Sequence, residues 1–162
     1  MNREELNLFL PDLLEARYPG LPRKMGEHDG PGLPGVEGWM LNFNDFLLVV
    51  RVSQSTHPFI WIRSGLAHGL PKSETLALRI AAGNKDLVVG RLYMAFGDDL
   101  AMVAFEETVF GGYLSFQHKP SIHDVVNKVE TSVDHSKEWS KTIREEFGGQ
   151  QFAIDDCHLL TF

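Results

Sequence analysis

The hydrophobic pattern divides the chain into stretches with helical spacing and stretches with strand alternation. Residues 2–18 are helical in pattern. Asn2 with Glu5 three residues later makes a capping box, and Leu6, Phe9, Leu10, Leu13 and Leu14 form an apolar stripe. Pro11 interrupts the stripe, so either the helix kinks there or its stable part starts near Leu10 with Pro11 in the first turn. Residues 19–38 are a Gly/Pro-rich connector in which no regular element is expected. Three strands follow. Trp39–Phe43 ends at the turn signal Asn44-Asp45. Phe46–Ser53 puts Phe46, Leu48, Val50 and Val52 on one face and Leu47, Val49, Arg51 and Ser53 on the other. After a turn at Gln54–Pro58, Phe59–Ile62 is a third strand, which can extend to Leu66. The three read as an antiparallel meander.

A short helix comes next. Pro71 and Ser73 mark its start and Gly83-Asn84 its stop. Its many small and apolar residues imply burial on more than one side. Residues 86–96 and 100–109 form a hairpin turned by Gly97-Asp98-Asp99. Leu87, Val89, Tyr93 and Ala95 share one face of its first strand, and Val88, Leu92, Met94 and Phe96 the other. On the second strand Ala101, Val103, Phe105 and Val109 are the inner set, opposed by Leu100, Met102 and Ala104, with Glu106 and Thr108 as the polar members. Both faces are thus unusually apolar. The final helix is capped by Ser121 and Asp124 and stopped by Gly148-Gly149. Its stripe is Ile122, Val126, Val129, Val133, Ile143 and Phe147, with Ser136 and Ser140 filling the gap and Val125 and Trp139 flanking. At ~1.5 Å per residue it is about 40 Å long, enough to cover a sheet. The tail, Gln150–Phe162, is expected to add a short strand or to pack as coil. The pattern predicts an α+β fold in the order α-β-β-β-α-β-β-α, with a five-stranded, mostly antiparallel sheet packed by a long C-terminal helix.

Composition supports one folded domain spanning 1–162. Hydrophobic content is 43% and charged content 23%, as in globular proteins. The net charge of −7, with no Lys/Arg cluster, disfavours nucleic acid and anionic membranes as partners and leaves proteins or small molecules. One cysteine, Cys157, rules out an intrachain disulfide and fits a reducing compartment. No signal-peptide pattern and no apolar run long enough to span a bilayer is present, so a cytoplasmic location is expected.

Candidate chemistry is sparse. Gly30-Pro31-Gly32-Leu33-Pro34-Gly35 matches the dinucleotide-binding string G-x-G-x-x-G, but its prolines remove N–H groups and a strand follows where a helix is needed. No histidine pair has metal-ligand spacing: His118 and His123 are five apart, and Cys157 and His158 are neighbours whose side chains diverge. Ser132-Val133-Asp134-His135-Ser136 holds the letters of a catalytic triad on one helix, where neighbours point different ways, and reads as a solvated face. The doublets Glu106-Glu107 and Asp155-Asp156 alternate faces, so neither is a carboxylate pair as it stands. No catalytic residue, metal site or cofactor is expected.

The element order, the Ala/Leu-rich helix ending at Gly83-Asn84, the strand with Gly90-Arg91-Leu92, the acidic turn Asp98-Asp99 and the long helix ending before Phe147-Gly148-Gly149 resemble the type III secretion chaperone-like fold and, within it, the YbjN-type family. The resemblance covers most of residues 38–149. It implies a small, acidic, non-enzymatic protein that binds peptide segments and dimerises, and it supplies no catalytic residues. The partner-binding residues expected on an apolar sheet face or edge are Phe59, Trp61, Leu92, Met94 and Met102. Two rival readings remain: an enzyme or small-molecule binder with its site under the 19–38 loop, and a structural subunit whose apolar face is consumed in a homodimer.

Overall fold

The structure is a computed structural model that describes residues 3–25, 38–52, 59–97, 100–110 and 122–160. Its elements are α1 (Arg3–Arg17), β1 (Pro22–Lys24), β2 (Gly38–Asn42), β3 (Leu47–Val52), β4 (Phe59–Pro71), α2 (Glu74–Asp86), β5 (Arg91–Phe96), β6 (Leu100–Phe110), α3 (Ile122–Phe147) and a 3₁₀ helix, η1 (Ile154–Leu160). The expected caps at Asn2 and Ser121, the Gly30–Gly35 string, the turns at 54–58 and 98–99, and His118 lie outside the described residues.

The fold is α+β, and its sheet has six antiparallel strands rather than five, in the order β1-β2-β3-β4-β6-β5. The extra strand is β1, within the connector expected to hold no regular element. Pro22, Arg23 and Lys24 pair with Leu41, Met40 and Trp39. An edge position tolerates Pro22, because an edge strand has one side without ladder partners. β4 is also longer than its alternation suggested. Its register shifts between Gly65 and Ala67 and again between Ala67 and Leu70, and the alternation signal breaks at these bulges.

The helices cover one face of the sheet. Leu6, Leu10 and Leu14 of α1 and Val125 and Val129 of α3 pack on Trp39, Leu41, Leu48, Val50, Ile60 and Ile62. Leu76 and Ile80 of α2 and Trp139 and Ile143 of α3 pack on Leu66, Leu92, Val103 and Phe105. Pro11 lies inside a continuous α1. Leu87 to Gly90 precede β5 rather than belonging to it, and Gly90 has a positive φ of 70°.

On α3 the buried line is Val125, Val129, Ser132, Ser136, Ser140 and Ile143, with Val126 and Val133 only half-buried. Ser132 and Ser136 are therefore not on a solvated face, as the pattern predicted. They are fully buried and return their hydroxyls to the Lys128 and Ser132 carbonyls one turn back. Small side chains there permit a close approach of helix and sheet. Glu106 and Glu107 do face opposite ways: Glu107 meets Lys128 of α3 at 3.0 Å, on the helical side.

The second face is covered by the tail. Phe152, Cys157 and Leu160 pack on Met40, Leu47, Val49, Met102 and Ala104. Gln150 pairs with His68 through both backbone groups, which anchors the start of the tail on β4. Phe152 then lies flat on Gly65, where a Cβ would stand 2.5 Å from its ring. The tail is thus a third core layer. Among the described residues no helix is long and apolar enough to cross a membrane.

Candidate functional site

Five residues were expected to form one partner surface, and the structure divides them. Leu92 and Met94 point to the helical face: Leu92 is 2% exposed, and Met94 is packed against the same cluster. Met102 is on the opposite face, 6% exposed beneath the tail. Alternation along β5 and β6 sends these side chains to different sides, and helices or tail then cover them. Phe59 and Trp61 are half-buried on the tail-covered face, near the end of β4 away from the tail's anchor. The five residues thus form no single patch, and only Phe59 and Trp61 share a partly open surface.

Around Trp61 the register assembles a polar row that the sequence did not reveal. Arg63 on β4 is directly opposite Glu106 on β6, and Glu106 is directly opposite Arg91 on β5. Arg63 donates to Glu106 Oε2 from Nε at 3.1 Å and from Nη2 at 2.5 Å, and Nη1 donates to the Leu160 carbonyl at 3.0 Å. Arg91 Nη2 donates to the other carboxylate oxygen at 2.7 Å. The Arg63 guanidinium lies 3.7 Å from the Trp61 ring centre and 5.2 Å from that of Tyr93. Cation–π contact and a two-pronged carboxylate contact therefore fix the same planar group.

Burial alone would raise the Glu106 carboxyl. Hydrogen bonds from Arg63, Arg91 and Trp61, with the Arg63 charge, outweigh it and hold the group below the usual carboxylate range. Burial pushes Tyr93 up to about 12, and its hydroxyl has no partner among the described residues.

Arg51 completes the site. It is directly opposite Trp61 on β3. Its Nη2 reaches the Met25 sulfur at 3.9 Å, and its buried Nε has no partner among the described residues. Burial and the nearby Arg63 charge lower its pKa, a Cys157 thiolate opposing them. Gly38 makes room for it: a Cβ there would stand 2.9 Å from the Arg51 Cγ.

The arrangement is an aromatic–cationic surface, and its one carboxylate among the described strand residues is held by two arginines and an indole. Among the described residues no three His, Cys, Asp or Glu side chains converge as metal ligands. The groove between α1 and α3, lined by Leu13, Tyr18, Val126 and Glu130 among others, holds about 10 Å³, no more than the least a single water needs. Most of the 19–38 loop, under which a small-molecule site was conceivable, lies outside the described residues.

A six-stranded antiparallel sheet with helices on one face and a long α3 across it is the YbjN-type fold. The chain is similar to the crystal structure of YbjN from E. coli, a proposed transcription regulator. The TM-score is 0.58 at 12% sequence identity, covering 87% of this chain and 93% of that one. No protein-family model matches the chain, and no curated protein matches it in sequence.

Proposed function

We propose that this protein is a non-enzymatic binding module of the cytoplasm that holds a polypeptide segment against the partly open sheet face at Trp61 and Phe59. One observation carries the reading. Trp61 is only half-buried, yet it is held by Arg63 and by a hydrogen bond to the buried Glu106. A large aromatic surface already fixed in place loses little entropy on binding, as interface anchors require. The test is capture on an array of short random-sequence peptides by the wild-type protein and by Trp61→Leu. Loss of capture with an unchanged thermal midpoint supports the reading. Unchanged capture, or no capture by either protein, overturns it.

A second reading, self-association, is favoured by β5. Asn84 donates to the Leu92 carbonyl at 2.8 Å and accepts from the Leu92 N–H at 2.7 Å, so Leu92 directs its backbone away from β6. By alternation Met94 and Phe96 do the same, and Phe96 is 61% exposed. Two copies joined edge to edge would bury it. Light scattering across a concentration series distinguishes this dimer from a monomer.

A further inference from the structure

The charge on the open face is out of balance with the rest of the molecule. The chain has a net charge of −7. Yet around Trp61 the strands place Arg51, Arg63 and Arg91 on this face, and Glu106 is the one carboxylate among the described strand residues there. Glu106 is already shared by Arg63 and Arg91. Of the nearby tail acids, Asp156 accepts from the Ala153 N–H and lies 3.4 Å from His68. Among the described residues the hydrogen-bond contact of Arg51 is a thioether, and it lies beside a half-buried tryptophan, near Cys157 and against another arginine.

A guanidinium so placed suits a planar carboxylate, which it can hold by two parallel hydrogen bonds. The surface suits an extended chain, because alternate residues of a strand-like segment lie on one side, one meeting Trp61 and the next but one meeting Arg51. We propose that the polypeptide bound at Trp61 is acidic, and that Arg51 reads it by pairing with an Asp or Glu carboxylate two residues from an apolar side chain that covers the indole. This rests on the reading of Trp61 as a partner-binding residue and adds the chemistry of the partner.

The peptide array tests both, with Arg51→Gln as a third protein and composition as the readout. Arg51→Gln keeps the Cβ and Cγ methylenes and a polar end, and removes the charge. The expected result is a wild-type bound set enriched in Asp and Glu, with the enrichment lost in Arg51→Gln. The best acidic peptide should bind Arg51→Gln roughly tenfold or more weakly than wild type. Its Glu→Gln twin should bind both proteins equally, and that contrast on the wild-type protein needs no variant to fold. A bound set without acidic enrichment that still depends on Trp61 overturns the role of Arg51 and leaves the binding module standing. No bound set at all overturns both.

Discussion

Tyr93 and Glu106 lie on the same sheet face and respond oppositely to the loss of a polar atom. The Tyr93 hydroxyl is buried without a partner among the described residues, while its ring meets Arg63. Tyr93→Phe keeps the ring and removes the orphan, so it should leave stability unchanged or raise it by about 1 kcal/mol in thermal denaturation. Glu106 is the reverse case, for its carboxylate satisfies two arginines, one of them buried with it. Glu106→Gln leaves Arg63 without its counter-charge and should cost about 3 kcal/mol by urea denaturation. The sign of the pH effect follows from the folded carboxyl lying below its ordinary value. Its contribution is present above the ordinary carboxylate range and is lost as the pH falls through and below it. The wild type should lose this stability on acidification, and Glu106→Gln should show a flatter profile over the same window. The sequence identified Glu106 as a polar member of an apolar strand, but not its partner. Arg63 lies 43 residues away, and only the β4–β6 register brings the two together. Isolated charges within apolar strands at Arg63, Arg91 and Glu106 were the available signal.

At the level of elements, periodicity located the helices and most strands, and it failed where a residue serves a distant contact. Gly83-Asn84 reads locally as a helix stop, yet α2 continues to Asp86. Gly83 is there because a Cβ would stand 2.3 Å from the Trp139 ring, and Asn84 because its amide caps the backbone of Leu92. Neither role is visible in a window of neighbouring residues. Asn84→Leu removes both hydrogen bonds and uncovers the edge of β5. It should cost about 2 kcal/mol and promote concentration-dependent association, measurable by thermal denaturation and light scattering. An Asn84→Leu protein as stable and as monodisperse as wild type would show that the side chain does not guard the edge. Trp61 and Phe59 were legible as candidates because they break an otherwise aliphatic strand. Leu92 and Met102 could not be assigned to core or surface by residue type, because their burial depends on α2, α3 and the tail.

At the scale of the whole molecule, the paradox of a sheet apolar on both faces is resolved by its last residues. The sequence showed strands apolar on both faces, and left a partner or a second subunit as the expected cover. Much of the answer is intramolecular: Phe152, Cys157 and Leu160 cover Met40, Leu47, Val49, Met102 and Ala104, and the Leu160 carbonyl receives Arg63. The tail was hard to read because it contributes its buried residues at 152, 157 and 160, a spacing that fits neither strand alternation nor a regular helical stripe. Burying Phe152 and Leu160 contributes roughly 1.5–3 kcal/mol each, and the sheet residues beneath them would lose their cover as well. The gross burial lost with the tail is therefore about 5 kcal/mol or more, before the ordering entropy that its removal returns. That is comparable with the whole stability of a typical domain, about 5–15 kcal/mol. Removing residues 150–162 should therefore unfold the protein or leave an expanded state that binds a hydrophobic dye and melts without cooperativity. Gly65→Ala is the milder form of the same experiment. The added methyl meets the Phe152 ring, so the variant should melt at a lower temperature and expose residues 150–160 to hydrogen exchange before the strands. If the truncated chain melts cooperatively at the wild-type temperature, the tail is not part of the core. The face beneath it would then be available for partners along its whole length, from Trp61 at one end to Met102 at the other.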